Sequence, residues 1–275
     1  MEQIVNSRKK MVMAWALAII ITLAAGWYQR VTGPSHPLKV NAGINGKSYV
    51  FSLARSGSSS DNEIQVPVTD KDVKGYVIYR RYPTNENWDT LAMQPVKEGL
   101  SAFLPVQPPA GKLEYFLMFR TTGQPDMLLQ QQPTIIRFKG DVPLWILLPH
   151  ILFIFFGMLF SNLAGLLAAF KFNRARIYSL ITFILIMLGG MILGPVVQKY
   201  AFGEFWTGVP WGWDLTDNKT LLAFLAWLAA LFFNRNKLRP GYIIAAALVT
   251  LIIFSIPHSM FGSELNPATG TITQG

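Results

Sequence analysis

The stretch that decides the fold is Val142-Pro-Leu-Trp-Ile-Leu-Leu-Pro149-His150-Ile-Leu-Phe-Ile-Phe-Phe-Gly157-Met158-Leu-Phe-Ser-Asn162-Leu-Ala-Gly165-Leu-Leu-Ala-Ala-Phe170. It holds no Asp, Glu, Lys or Arg, and it exceeds the ~20 apolar residues that a membrane-spanning helix needs. Working outward, four more apolar stretches stand out: Met11 to Trp27, Ile177 to Val197, Thr220 to Phe233 and Gly241 to Pro257. The Thr220 stretch is short for a span. It must extend into the polar residues before it, tilt little, or sit where the bilayer is thin. Met11 to Trp27 follows Arg8-Lys9-Lys10 and ends near Ala24-Ala25-Gly26, which also fits a cleaved signal peptide. The interfacial pair Trp27-Tyr28 directly after it favours an uncleaved anchor over 1–28.

The charge explains which way the chain points. The composition is 51% hydrophobic and only 14% charged, yet the net charge is +9. With 24 Lys and Arg in all, the chain lacks the density of a nucleic-acid-binding protein, and no nucleic acid is expected as partner. Three short segments carry Arg8, Lys9 and Lys10; Lys171, Arg174 and Arg176; and Arg235, Lys237 and Arg239, against Glu2 alone. The opposite segments carry Lys199 and Lys219 against Glu204, Asp214, Asp217 and Glu264. Positive residues favour the cytoplasmic side. The expected fold class is therefore a polytopic α-helical membrane protein with five transmembrane helices, set in the bilayer of a bacterial cytoplasmic (inner) membrane. Its N-terminus lies inside; its C-terminus and an inserted domain lie outside, in the periplasm.

That inserted domain, residues 29–141, has a different character. Strands are expected at Ser48–Ala54, Gly75–Tyr82, Ser101–Leu104, Leu113–Arg120 and Thr134–Phe138, separated by turns at Pro83-Thr84-Asn85, Gln107 to Gly111 and Thr121-Thr122-Gly123. Short strands at this spacing suggest an extracytoplasmic all-β antiparallel sandwich. The run Val77 to Tyr82, Trp88 to Met93, Phe103-Leu104-Pro105 and Gly111 to Phe116 resembles an immunoglobulin-like or fibronectin-type-III-like module. The resemblance implies a docking or spacer domain. His36 reads as a solvated linker residue.

Domain 142–260 is expected to hold four helices and a tryptophan-rich outer loop at 198–219, with an extracytoplasmic tail at 261–275. The loop reads Tyr200-Ala-Phe-Gly203-Glu-Phe-Trp206-Thr-Gly-Val-Pro-Trp211-Gly-Trp213-Asp214-Leu-Thr-Asp217-Asn-Lys-Thr220. Interfacial Trp residues need no function, and Asp214, Thr216 and Asp217 are good N-cap candidates for the next helix. A belt and a cap explain less well why glycines stand between large flat rings, which suits a shaped platform. Trp211-Gly212-Trp213-Asp214, with Gly203 and Trp206 before it, resembles the tryptophan-rich "WWD" loop of the haem-handling membrane proteins of cytochrome c biogenesis. In that family two outward histidines flank the loop and ligate haem, and here His150 and His258 stand in the same order. This chain departs from the pattern in having Leu215 after Asp214, Trp206 set apart from Trp211, and a large domain ahead of the loop.

The resemblance implies one haem b on the outer side, seated on Trp206, Trp211, Trp213 and Asp214 and ligated by His150 and His258. Neutral imidazoles need an orienting group, and Asp214, Glu264 and Asn162 are candidates. Each histidine also has a plain reading: His150 as an imidazole bonded to a serine or a backbone carbonyl freed by Pro149, His258 as an interfacial residue. Met158 and Met187 read as core. With no further His on the inner half, no second haem is expected there. The absence of cysteine excludes disulfides, covalent c-type haem and Cys-based metal sites. There is no HExxH and no GxSxG, so no enzymatic chemistry is indicated. Five unequal spans do not suggest a transporter of paired repeats. Two functions follow: a haem-binding or haem-handling protein serving c-type cytochrome assembly or extracytoplasmic electron transfer, with a c-type cytochrome as partner; or a non-enzymatic scaffold subunit of a membrane complex, docking other subunits through the sandwich. The polar tail either closes over the outer loop or frays. Gly157, Gly165, Gly189, Gly190 and Gly194 mark close helix packing.

Overall fold

A computed structural model describes residues 2–257 and 262–274. It divides into a helical unit, 1–33 with 142–200 and 204–262, and a β-rich unit, 34–141 with 201–203 and 263–275.

The helical unit contains α1 (Glu2–Thr32), α2 (Leu144–Ala169), α3 (Ala175–Ile186), a π-helical segment (Met187–Leu193), α4 (Gly194–Phe202), α5 (Leu215–Phe233) and α6 (Pro240–Ser255). Among the described residues, four helices are long and apolar enough to cross a membrane: Ser7–Thr32, Leu144–Ala169, the continuous Ala175–Phe202, and Leu215–Phe233. The fifth expected span is a helix too, but its 16 residues rise only about 24 Å at 1.5 Å per residue, against a hydrocarbon core of ~30 Å. The short Thr220 stretch takes the first of the routes open to it. The helix starts at Leu215, because the Asp214 side chain accepts from the backbone N–H of Thr216 and Asp217 and caps it there.

Small residues set the contacts. Ala14, Ala18 and Ala25 of α1 are buried on one stripe, and Asn162 of α2 donates to Thr22 Oγ1 at 3.0 Å. A methyl group on Gly165 would stand 2.6 Å from Ala247 Cβ, so α2 and α6 touch nearly backbone to backbone. Trp227 is fully buried between α5 and α6 and donates Nε1–H to Thr250 Oγ1 at 2.8 Å. Met158 lies in this core, as expected. The plain helix expected over Ile177 to Val197 is instead interrupted by the π-helical turn. Pro195 offers no N–H to the carbonyl four residues before it, and a locally widened helix accommodates the mismatch.

The β-rich unit begins with β1 (Leu38–Ile44) and β2 (Lys47–Leu53), a hairpin whose Asn45-Gly46 turn has both residues at positive φ. Then come β3 (Ser56–Gly57), β4 (Asn62–Val66), β5 (Val73–Tyr82), β6 (Asp89–Ala92), β7 (Gln94–Val96), β8 (Gly99–Leu104), β9 (Lys112–Thr121), β10 (Met127–Leu128) and β11 (Thr134–Phe138). One sheet runs β3-β11-β9-β5-β6 with β10 beside β9; another runs β4-β8-β7. Phe51, Val77, Leu104, Leu117, Ile136 and Phe138, from both sheets and the hairpin, meet in one core, an arrangement that fits a β-sandwich. All five expected strands are present. Strands β1, β3, β4, β6, β7 and β10 were not foreseen.

Over residues 263–274 the tail is not frayed. It forms the hairpin β12 (Ser263–Leu265) and β13 (Ile272–Gln274), which belongs to the β-rich unit. Lys112 Nζ pairs with Glu264 at 2.6 Å, the Arg137 guanidinium donates to the Ser263 carbonyl, and Leu265 N–H donates to the Ala110 carbonyl.

Candidate functional site: the tryptophan loop and His150

Local chemistry builds the loop between α4 and α5. The Asp214 carboxylate, nearly inaccessible, holds Thr216 N–H at 2.8 Å and Asp217 N–H at 3.4 Å. Asp217 then faces back toward the loop. Its Oδ2 accepts from Thr207 N–H at 2.6 Å, from Gln198 Nε2 at 3.1 Å and from the Thr207 hydroxyl at 3.3 Å. Asn218 Oδ1 accepts the Val209 N–H at 2.8 Å, and Trp206 donates Nε1–H to the Val209 carbonyl at 3.1 Å. Gly208 lies so close to this frame that a Cβ there would stand 2.6 Å from Asp217 Cβ. The first turn of α5 thus grips the loop at several points. Two of the rings it presents are open: Trp211 is 78% and Trp213 79% exposed. Trp206 is half-buried.

His150 lies in the second turn of α2. Its Nδ1 is 2.9 Å from the carbonyl oxygen of Gly189, within the π-helical segment. A carbonyl only accepts, so a proton sits on Nδ1, and in the neutral ring Nε2 keeps its lone pair. Nε2 has no hydrogen-bond partner among the described residues. The neighbouring Gly190 lies against Thr220 of α5, where a Cβ would be 2.5 Å from Thr220 Cγ2. The π-helical segment therefore touches both the helix that carries His150 and the helix that carries the loop. No contact among the described residues joins His150 to a tryptophan. His258 lies outside the described residues.

The three orienting groups expected from sequence do not serve His150. Asn162 donates to Thr22, Glu264 holds Lys112, and Asp214 caps α5. The orienting group is a main-chain carbonyl, the plain alternative for this histidine, though it comes from Gly189 rather than from the turn that Pro149 frees. No group of three His, Asp or Glu able to hold a bare metal ion occurs among the described residues. Sequence reasoning missed Gln198, Thr207 and Asn218, whose roles arise from tertiary contact; the spacing of Asp217 from Asp214 was its one local signal.

Comparison with known proteins finds no family model, no curated protein and no solved structure that matches this chain.

Proposed function

We propose that the chain is an integral membrane protein that binds or handles one haem at its outer face, for c-type cytochrome assembly or extracytoplasmic electron transfer. The observation that carries this reading is the tautomer of His150. An imidazole that donates Nδ1–H to a carbonyl and keeps Nε2 bare is arranged as an axial ligand is, with the ring orientation set from behind. His150 would supply one ligand and His258 the other, with Trp206, Trp211 and Trp213 as stacking surfaces. A bound haem supplies a redox-active iron, or is itself the cargo. The chain's own work is to hold a neutral imidazole, to fix its tautomer through Gly189, and to keep the loop rigid through Asp217. The distribution of Lys and Arg supports an orientation with the loop outside, and the sandwich, read as an immunoglobulin- or fibronectin-like module, docks the partner.

The exposure of Trp211 and Trp213 also favours the second reading, a scaffold subunit of a membrane complex, since open Trp rings suit a subunit interface. An absorption spectrum of the purified protein with added haem separates the two. The haem reading expects a Soret band that His150→Ala and His258→Ala each alter. No Soret band, or an unchanged band in both variants, overturns it; co-purification of a stable, haem-free complex then supports the scaffold.

A further inference from the structure

The end of the helical unit opposite the tryptophan loop gathers its cations. Trp15 of α1 meets Tyr178 of α3 edge-on, with ring centroids 6.0 Å apart, and the basic residues of 8–10 and 174–176 stand just ahead of these two rings. The Arg176 guanidinium donates to the Arg235 carbonyl at 2.6 Å, which pins the start of α3 to the turn between α5 and α6. Asn234, only 3% exposed, fixes that turn by accepting the Arg239 N–H on its Oδ1 at 2.6 Å. All nine cations of 8–10, 171–176 and 235–239 are exposed, and none stands in an ion pair among the described residues.

Topology alone does not call for this arrangement. Positive residues orient a membrane chain by the side on which their loops lie, and loops held apart serve as well as loops pinned together. Gathering like charges costs repulsion unless an opposite charge offsets it, and Glu2 is the sole acidic residue in these segments. What borders the cations is equally telling. Arg235 lays its guanidinium 4.4 Å over the Phe232 ring, which is 54% exposed, and Ile177, next to Arg176, is 61% exposed. Guanidiniums, which match phosphate oxygens two at a time, therefore stand directly against an apolar belt. A soluble polyanion would use the charges and leave the belt in water. A phospholipid uses both, its phosphate on the guanidiniums and its acyl chains along the belt.

We propose that this end of the bundle binds the phosphodiester head groups of anionic phospholipids, with Arg176 and Arg235 at the centre of the surface. The proposal rests on the reading of the helices as membrane spans and is independent of haem. Each cation near an anionic leaflet is worth about fivefold in affinity, so loss of both arginines should cost roughly 25-fold. Seven of the nine cations then remain to set the orientation.

Membranes holding the full-length protein are washed with alkaline carbonate, and the protein is then extracted in detergent. Native mass spectrometry measures its affinity for dioleoylphosphatidylglycerol and for dioleoylphosphatidylcholine, which share acyl chains and differ in head-group charge. Wild type is compared with three double variants, each checked for folding by far-UV circular dichroism: Arg176→Gln with Arg235→Gln, Arg176→Lys with Arg235→Lys, and Lys39→Gln with Lys74→Gln, two exposed cations of the β-rich unit. Wild type should prefer phosphatidylglycerol. The double glutamine variant at 176 and 235 should lose about 25-fold of that affinity and keep its weak hold on phosphatidylcholine. The double lysine variant should retain most of the preference, and the Lys39 and Lys74 variant all of it. Equal affinity of wild type for the two lipids overturns the proposal, as does an unchanged preference in the folded glutamine variant at 176 and 235. An equal loss in the Lys39 and Lys74 variant also overturns it, since total charge rather than this surface would then be responsible. Displacement of the lipid by equimolar polyglutamate assigns the surface to a soluble polyanion instead. A chain that carbonate strips from the membrane defeats the membrane reading, and this proposal with it.

Discussion

Replacing Asp217 by alanine should release the tryptophan loop without unfolding the bundle. Three donors converge on its Oδ2, but they do not count equally. Gln198 Nε2 keeps a second acceptor in Thr207 Oγ1 at 2.8 Å. The Thr207 N–H, at 2.6 Å, is left buried without its acceptor. Orphaning such a donor, with loss of a hydrogen bond to a carboxylate, costs about 2–3 kcal/mol. At ~1.4 kcal/mol per factor of ten, local opening becomes roughly 30- to 150-fold more frequent. Hydrogen exchange read by mass spectrometry on peptides covering 204–214 measures this directly. Those peptides should accelerate by that factor while peptides within α2 and α6 stay unchanged. Asp217→Asn keeps an acceptor oxygen for Thr207 and should give a clearly smaller effect. Acceleration under about threefold in Asp217→Ala, or an equal effect in both variants, would refute the claim that this carboxylate organises the loop.

Two further predictions concern the β-rich unit. Burial, with Arg137 adding repulsion, holds Lys139 below the ordinary lysine range. The folded state therefore releases this proton at lower pH than the unfolded chain, so the penalty is full at neutral pH and shrinks as pH rises toward the ordinary lysine value. Lys139→Met should be more stable than wild type at neutral pH, with a gap that closes toward alkaline pH in parallel thermal melts; a gap constant with pH contradicts this. Gly57 faces the buried ring of Phe138, and a Cβ would stand 2.7 Å from it. Gly57→Ala should cost ~1–3 kcal/mol by overpacking, whereas Gly26→Ala, in α1 of the helical unit, meets nothing within 4 Å and should not destabilise.

Much of this architecture is legible in the sequence wherever the signal is local. Leu113, Tyr115, Leu117 and Phe119 alternate inward along β9, and period-two patterning exposes such a strand. Asn62–Val66 alternates as well, but it is short and mostly polar. The β6–β7 stretch contains Pro95, which argues against a strand. The Asp214 cap follows from an acidic residue ahead of an apolar run. The π-helical turn was hidden because Met187–Leu193 holds no polar residue to mark a period, and only Gly189-Gly190 and Gly194-Pro195 hint at it. The carbonyl behind His150 was equally hidden, since it comes from a residue 39 positions away in sequence.

The docking of β12 and β13 has a consequence for how the protein is made. The β-rich unit starts at Pro34, but Lys112 and Arg137 receive Glu264 and Ser263 only when the chain beyond α6 has been synthesised. Between Asp141 and Ser263 lie about 120 residues, or roughly 6–24 s of translation at ~5–20 residues per second. Through that interval β1 to β11 stand without the pair that they later receive from beyond α6. Completion of the domain thus waits on α2 to α6, which turns a short hairpin into a check on the helices that precede it.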